Sequence, residues 1–275
     1  MFTTHGFSFK RIKFPAGEPH VTVERVKELA RPTWMGNKAW IEYDHVPGEN
    51  ICEEIMTLLL LVDACKRADI RLDWLRIGYL PFGRQDRVAN PGEPLSVAVF
   101  ADLINSMDFP EVWIADPHSD VAPALIRNSR VVHQHELLGQ FINEIKPDGA
   151  WCLVCPDAGA RKKFEKLVEA TNPPSVIYME KKRSTLDGSL SDFYIARTID
   201  PLPVVPEAFD LIIADDICDG GGTFRGIAKG IRKVYPRAKV TVVVSHGLFT
   251  PNIDTFRANN RDYLDAVYAL EEKVL

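Results

Sequence analysis

No run of about 18 consecutive apolar residues occurs along the chain, so no transmembrane helix and no membrane partner are expected. The first residues, Met1-Phe2-Thr3-Thr4-His5-Gly6, lack the basic-then-apolar layout of a secretory signal. Basic charge is not in excess: Lys and Arg total 33 against 38 Asp and Glu, a net charge of −5. No nucleic-acid partner is implied. Cysteine is sparse and odd in number, with five scattered along the chain. That excludes a disulfide framework and points to a reducing, cytoplasmic setting. Cys152 and Cys155 have the spacing of a metal or redox pair, but they lie in the apolar run Ala150-Trp151-Cys152-Leu153-Val154-Cys155. Residues three apart on a strand face opposite sides, and no second Cys/His pair follows, so core packing is expected. Repeats and low-complexity segments are also absent.

What is present is an ordinary globular mixture, 46% hydrophobic and 26% charged over 275 residues, enough for one or two cores. Continuous apolar runs at Val112–Ala115, Cys152–Cys155, Val176–Tyr178, Leu211–Ala214 and Val240–Val244 predict buried strands. Between and around them, Glu53–Arg67, Leu95–Ser106, Ala160–Ala170 and Thr223–Val234 predict helices. The alternation predicts an α/β fold with mostly parallel sheets. A seam near Arg130–Gln134 divides the chain into 1–132 and 133–275. Asp187–Glu207, rich in Gly, Ser and Pro without a period, predicts a mobile loop and a turn.

Three predicted strands run into polar clusters, where open α/β sheets bind ligands. Ala115 leads into Asp116-Pro117-His118-Ser119, and Cys155 into Pro156-Asp157-Ala158-Gly159. Ala214 leads into Asp215-Asp216-Ile217-Cys218-Asp219-Gly220-Gly221-Gly222-Thr223. In this last cluster a strand ends on two carboxylates, and three glycines then precede a Thr that opens a helix. Glycines bring backbone N–H groups close to an anion, and the helix N-terminus adds partial positive charge. The carboxylates suit a ribose diol, a shared Mg²⁺, or both. A plain strand–turn–helix corner with Asp caps is the bland alternative, and the paired Asp argues against it.

At these residues the chain resembles the ribose-phosphate pyrophosphokinases. The Asp-Asp-x-x-Asp loop is shared with phosphoribosyltransferases at large. Six further segments resemble that family: Phe14-Pro15-Ala16-Gly17-Glu18, Pro81-Phe82-Gly83-Arg84-Gln85-Asp86-Arg87, Asp116-Pro117-His118-Ser119, Pro156-Asp157-Ala158-Gly159, Lys181-Lys182-Arg183 and Ser245-His246-Gly247-Leu248-Phe249, of which the Arg-Gln-Asp, Asp-x-His and Lys-x-Arg ones are not expected of a plain phosphoribosyltransferase. They run in family order over most of the chain. The resemblance implies two tandem phosphoribosyltransferase-like domains, each a mostly parallel sheet flanked by helices, with ATP on the N-terminal side and the ribose-phosphate loop in the C-terminal one. It also implies transfer of diphosphate from ATP to the C1 hydroxyl of ribose 5-phosphate, with Mg²⁺ required.

The same resemblance distributes the roles. Lys181 and Arg183 stabilise the transferring phosphoryl groups, although a Lys-Lys-Arg run elsewhere is commonly a solvated basic cluster. His118 meets the Mg²⁺–triphosphate, and Asp157 joins a metal or the ribose. Phe14, Glu18, Arg84, Gln85 and Asp86 contact ATP. Asp215 and Asp216 take the ribose hydroxyls. Asp219, Gly220, Gly221, Gly222 and Thr223 form the 5-phosphate loop. His133 and His135 have no role, and His246 has none beyond its motif.

The chain departs from the family pattern in places. Only thirteen residues precede Phe14, and the chain stops at Leu275, before the family's last helical segment. The resemblance therefore does not carry over the family's hexamer or its phosphate/ADP control, and a homo-oligomer, dimer or higher, is expected. Ala16 stands where the family favours Asn or Asp. Gly220 stands where it usually has Thr; one hydroxyl is lost and space is gained. A bulkier substrate, ADP-ribose, is the alternative acceptor, which would tie the product to NAD salvage rather than nucleotide synthesis. A phosphoribosyltransferase without an ATP requirement, or a silent regulatory relative, remain as further alternatives.

Overall fold

The computed structural model describes residues 1–25, 38–183, 190–199, 209–270 and 272–274. The chain divides into two compact units, Met1–Val132 and His133–Leu275.

In the first unit, β1 (Phe2–His5), β2 (Phe7–Lys13), β3 (Pro19–Arg25) and β4 (Ala39–Tyr43) precede helix α1 (Ile51–Arg67). They are followed by β5 (Leu72–Ile77), α2 (Ser96–Met107), β6 (Glu111–Ala115), the short α3 (Val121–Leu125) and β7 (Ser129–Val132). One sheet has the order β1-β4-β5-β6-β7. Strands β4 to β7 are parallel, with β1 antiparallel at the edge. Strands β2 and β3 form a separate antiparallel ribbon. Alternation decides the core face: Ile41 and Tyr43, Leu75 and Ile77, and Val112 and Ile114 turn inward and pack with Leu58 and Leu61 of α1 and Phe100 and Ile104 of α2. Helix α1 starts where Asn50 Oδ1 accepts from the N–H groups of Cys52 and Glu53, a cap contributing about 1 kcal/mol.

The second unit comprises α4 (Gln134–Ile145), β8 (Trp151–Cys155), α5 (Arg161–Thr171), β9 (Val176–Arg183), β10 (Leu190–Ile199), β11 (Asp210–Cys218), α6 (Gly222–Arg232), β12 (Lys239–Gly247), α7 (Ile253–Asn260), β13 (Ala266–Ala269) and β14 (Glu272–Lys273). Its sheet has the order β10-β9-β8-β11-β12-β13-β14. The strands from β9 to β13 are parallel, and the outermost strand at each end is antiparallel. Both faces are helix-covered, so successive residues bury alternately. Cys152, Val154, Leu211 and Ile213 pack with α6 and α7, while Leu153, Cys155 and Ile212 pack with α4 and α5. Cys152 and Cys155 therefore lie in different cores as buried free thiols.

Three local expectations are corrected. Asp187–Glu207 is not one irregular stretch: Leu190–Ile199 is a strand, because it pairs back on β9 as an antiparallel neighbour. The remaining 184–189 and 200–208 lie outside the described residues. Strand β11 does not end at Ala214. Its partner β12 is long enough to pair Ile217 with His246 and Cys218 with Gly247, so Asp215 and Asp216 lie inside the strand. Lys181 and Arg183 likewise belong to β9 rather than following it, held by the β10 register Lys181↔Phe193 and Arg183↔Leu190.

Candidate active site

In the second unit, adjacent parallel strands bring the acidic residues to one edge. Asp157 follows β8, which lies between β9, carrying Lys181, and β11, carrying Asp215 and Asp216. Asp157 Oδ1 accepts from the N–H groups of Gly159 and Ala160 at 2.9 and 3.1 Å, closing the turn into α5. Its Oδ2 stands 2.6 Å from Lys181 Nζ. Burial pushes the Asp157 carboxyl up. The hydrogen bond and charge of Lys181, with the two backbone N–H groups, outweigh this and hold it below the usual carboxylate range. Lys181 Nζ also lies 5.9 Å from the centre of the Phe193 ring.

Asp215 goes the other way. Burial first, then the neighbouring Asp216 carboxylate and Asp157, push it well above the ordinary range, although the Asp216 N–H donates to its Oδ1 at 2.9 Å. Asp216 is turned toward α5, where Lys163 Nζ reaches to 3.6 Å of its Oδ2. The acids at this edge are thus answered by two lysines, one from a strand and one from a helix.

The glycine loop runs from the end of β11 into α6. Gly221 has φ +74° and caps the helix. A Cβ there would come within 2.4 Å of Asn260 Oδ1, so both the backbone angle and the contact require glycine. Asn260 is fully buried and donates to the Phe256 carbonyl at 2.6 Å. Arg225 Nη1 ties the loop to it, donating to the Gly220 carbonyl at 2.8 Å and to Asn260 Oδ1 at 3.0 Å. The Thr250 hydroxyl donates to Asp219. Gly220 is different: a Cβ there would meet only the Thr250 carbonyl, at 3.9 Å.

In the first unit, Arg84 and Gln85 are exposed, and Asp86 is half-buried, in the loop after β5. His118 is exposed in the loop after β6, the neighbouring strand, so both loops leave the same carboxyl edge. Asp116, before it, is buried. Phe14 and Glu18 are elsewhere, at the exposed tip of the β2–β3 ribbon. There the Phe14 N–H donates to the Glu18 carbonyl, and Phe14 lies 5.7 Å from the His20 ring. Arg183 ends β9 by its backbone; its side chain lies outside the described part. His246 is buried in β12, and His133 caps α4. Lys163, Arg225, Thr250 and Asn260 were not singled out by the sequence. Lys163 is one of three consecutive cations, Arg161 to Lys163, and only the helix shows which of them turns to the acids.

The metal expected at His118 and Asp157 can be tested on donor chemistry. Among the described residues no three His, Cys, Asp or Glu side chains form a ligand group. Mg²⁺ does not need one, because it keeps waters and takes one or two carboxylates plus substrate phosphate. The carboxylates at this edge fit that requirement, and Asp157 becomes a donor once Lys181 leaves its Oδ2.

Carboxylates and a glycine turn at the carboxyl edge of a parallel sheet covered on both faces stand where α/β sheets bind their ligands. The N-terminal domain of ribose phosphate pyrophosphokinase matches residues 13–107. The ribose-phosphate pyrophosphokinase of Corynebacterium glutamicum is 28% identical over 241 residues, covering 86% of this chain and 68% of that protein. That of Ureaplasma parvum is 28% identical over 207 residues, covering 73% of this chain and 58% of the relative. That of Pyrococcus abyssi is 26% identical over 244 residues, covering 86% and 75%. The crystal structure of phosphoribosylpyrophosphate synthetase from Mycobacterium smegmatis superposes with a TM-score of 0.65 at 22% identity, over 88% of this chain and 73% of that one, which shows a shared fold. The chain is thus similar to ribose-phosphate pyrophosphokinases over most of its length, with its first part matching that family's N-terminal domain.

Proposed function

We propose that the chain is a Mg²⁺- and ATP-dependent pyrophosphokinase acting on the anomeric hydroxyl of a phosphorylated ribose. The observation that carries this is the meeting, at one sheet edge, of the Lys181–Asp157 pair, the Asp215–Asp216 pair and the braced glycine loop. The sugar O1 attacks the β-phosphorus of ATP. The O1–Pβ bond forms, the bond from Pβ to the α,β-bridging oxygen breaks, AMP leaves, and the hydroxyl proton passes to solvent.

Asp216 accepts from a ribose hydroxyl, and Asp215, pushed toward its protonated form, can donate or accept beside it. Gly220, Gly221, Gly222 and Thr223 hold the sugar phosphate on the N-terminus of α6. Lys181, and Arg183 after it, neutralise the transferring phosphates; Lys181 must exchange Asp157 for phosphate oxygen to do so. Arg84, Gln85, Asp86 and His118 contact ATP, with Phe14 and Glu18 assigned to the adenine. Mg²⁺ when bound supplies charge neutralisation, and Asp157 is the residue placed to hold it. Positioning and electrostatics suffice for this class of transfer. A homo-oligomeric, cytoplasmic protein serving nucleotide or NAD synthesis fits this reading. The test is AMP release and product mass with ATP, Mg²⁺ and ribose 5-phosphate. No AMP with any ribose phosphate would reject the reading.

A second acceptor is favoured by one observation, the open space at Gly220. A family Thr would fill it, whereas its absence leaves room for a substrate extended beyond a phosphate monoester, as in ADP-ribose. Comparing kcat/KM for the two sugars decides between them. With ADP-ribose as the true acceptor, Gly220→Thr lowers its use; an unchanged value contradicts this reading.

A further inference from the structure

Arg225 is the fourth residue of α6, in the turn that opens the helix. A cation there has the wrong sign, because a helix N-terminus is already partly positive and favours an anion. No acid stands in the first turn of α6 to offset it. Asp219, the carboxylate of the loop, takes the Thr250 hydroxyl. Among the described residues no carboxylate is paired with Arg225, and its hydrogen bonds are both made by Nη1, to the Gly220 carbonyl at 2.8 Å and to Asn260 Oδ1 at 3.0 Å. A guanidinium has five N–H donors, so three are unused within the described residues.

The two contacts orient the group. Asn260 is fully buried and anchors Nη1 behind the loop. A Cβ on Gly222 would lie 3.8 Å from Nη2 with nothing nearer, so Nη2 stands beside the first residue of α6. At the other end of the loop, a Cβ on Gly220 would meet only the Thr250 carbonyl within 4 Å, at 3.9 Å. The half-buried guanidinium therefore borders the open space at Gly220 and carries unused donors beside it. One phosphoryl group occupies the backbone N–H groups at the start of a helix. The planar fork of an arginine suits the paired oxygens of another.

We propose that Arg225 is a specificity-determining residue that selects a diphosphate on O5 of the acceptor. The inner phosphoryl group sits on α6. The outer one lies in the space beside Gly220, against the unused donors of the guanidinium. The acceptor class is a ribose carrying a 5-diphosphate ester, of which ADP-ribose is the available example. This rests on the reading of the glycine loop as the sugar-phosphate site, and it gives the larger acceptor a charged contact in addition to room. Arg225 binds and takes no part in the transfer.

Calorimetry on the full chain tests it, with Mg²⁺ and α,β-methylene-ATP present so that the ATP site is filled and no transfer occurs. Arg225→Gln keeps an amide donor for the loop and removes the charge. It should weaken ADP-ribose binding by about 10-fold or more, the loss expected of a charged hydrogen bond, and ribose 5-phosphate by under about 3-fold. Arg225→Lys, which restores the charge, binds ADP-ribose more tightly than Arg225→Gln. A role confined to bracing the loop would weaken both sugars alike. Equal losses, or no loss for ADP-ribose, overturn the inference. Because a variant can misfold, the wild type is also treated with phenylglyoxal and its arginine peptides are mapped by mass. Saturating ADP-ribose should protect the Arg225 peptide and saturating ribose 5-phosphate should not; equal protection contradicts the proposal. A wild type that fails to bind ADP-ribose also overturns it, while transfer to ribose 5-phosphate stands. Absence of AMP release with either sugar rejects the pyrophosphokinase reading instead, and the two binding affinities still decide the role of Arg225.

Discussion

Lys181 Nζ and Asp157 Oδ2 are 2.6 Å apart, joining strand β9 to the turn that follows β8. In the proposed reaction Lys181 leaves this acid for phosphate oxygen. The pair also explains why Asp157 titrates low despite its burial. In this account Lys181→Ala cuts turnover by roughly 10³-fold, the scale of a charge clamp on a transferring phosphoryl group. Steady-state AMP release measures it, and unchanged turnover removes Lys181 from the chemistry.

The same pair fixes a pH dependence. Asp157 is depressed in the folded state, so its stabilising contribution is present above the ordinary Asp value of about 4 and disappears as pH falls through the lower folded value. Without Lys181 the largest lowering influence is gone. Thermal melts should therefore show Lys181→Ala losing less stability than the wild type as pH falls below about 4, because its Asp157 takes up a proton in the folded state as well. Superimposable acid limbs would contradict the pairing.

Asp215 has the opposite sign. Its folded value is raised by burial and by Asp216. What it contributes to stability is present at acid pH and lost as pH rises through the raised value, so the ionised carboxylate is a cost at neutrality. Asp215→Asn relieves that cost: it should stabilise by ~1 kcal/mol, about 2–4 °C in Tm at pH 7, with the gain shrinking toward acid pH. Turnover falls at the same time, because a ribose contact is altered. A variant melting below the wild type at pH 7 would refute the burial argument.

The glycines of the loop are not equivalent. Gly221→Ala forces a side chain at φ +74° onto the buried Asn260, which should cost about 2 kcal/mol or more. Gly220→Ala enters open space and should cost under about 0.5 kcal/mol. Urea titrations of the two variants measure the difference, and equal losses would mean the loop is not braced by Asn260 and Arg225.

Thiol chemistry follows burial. Cys65, Cys152 and Cys155 are pushed up to about 12 by burial, and Cys218 is raised by burial as well, whereas Cys52 is exposed. A chromogenic disulfide reagent should titrate one thiol quickly in the native protein and the other four only on unfolding. Two fast thiols, or a fast phase retained in Cys52→Ser, would contradict this.

The α/β class and mostly parallel sheets were legible because the strands covered on both faces, such as β8 and β12, are continuous apolar runs. In the first unit β6 was legible in the same way, as the run Val112–Ala115, but β4 and β5 were not. β4 and β5 alternate, as in Ala39-Trp40-Ile41-Glu42-Tyr43, and among the described residues of the unit the helices α1 and α2 pack on one side of them. The ends of β9 and β11 were misplaced for a related reason. Lys181, Asp215 and Asp216 look like loop residues, yet neighbouring strands long enough to pair with them keep them in the sheet. The site's acids could be read from motif and position. Arg225 and Asn260 could not, since they are 35 residues apart and only the packing of α6 against α7 brings them together.

Transfer of diphosphate by the sugar's own oxygen can be followed directly. Ribose 5-phosphate or ADP-ribose bearing ¹⁸O at the anomeric hydroxyl is incubated with ATP and Mg²⁺, and product and nucleotide are analysed by mass. The account predicts AMP equal to product, with the ¹⁸O retained between C1 and phosphorus. Release of ADP in place of AMP, loss of the label, or product formed without ATP would contradict it.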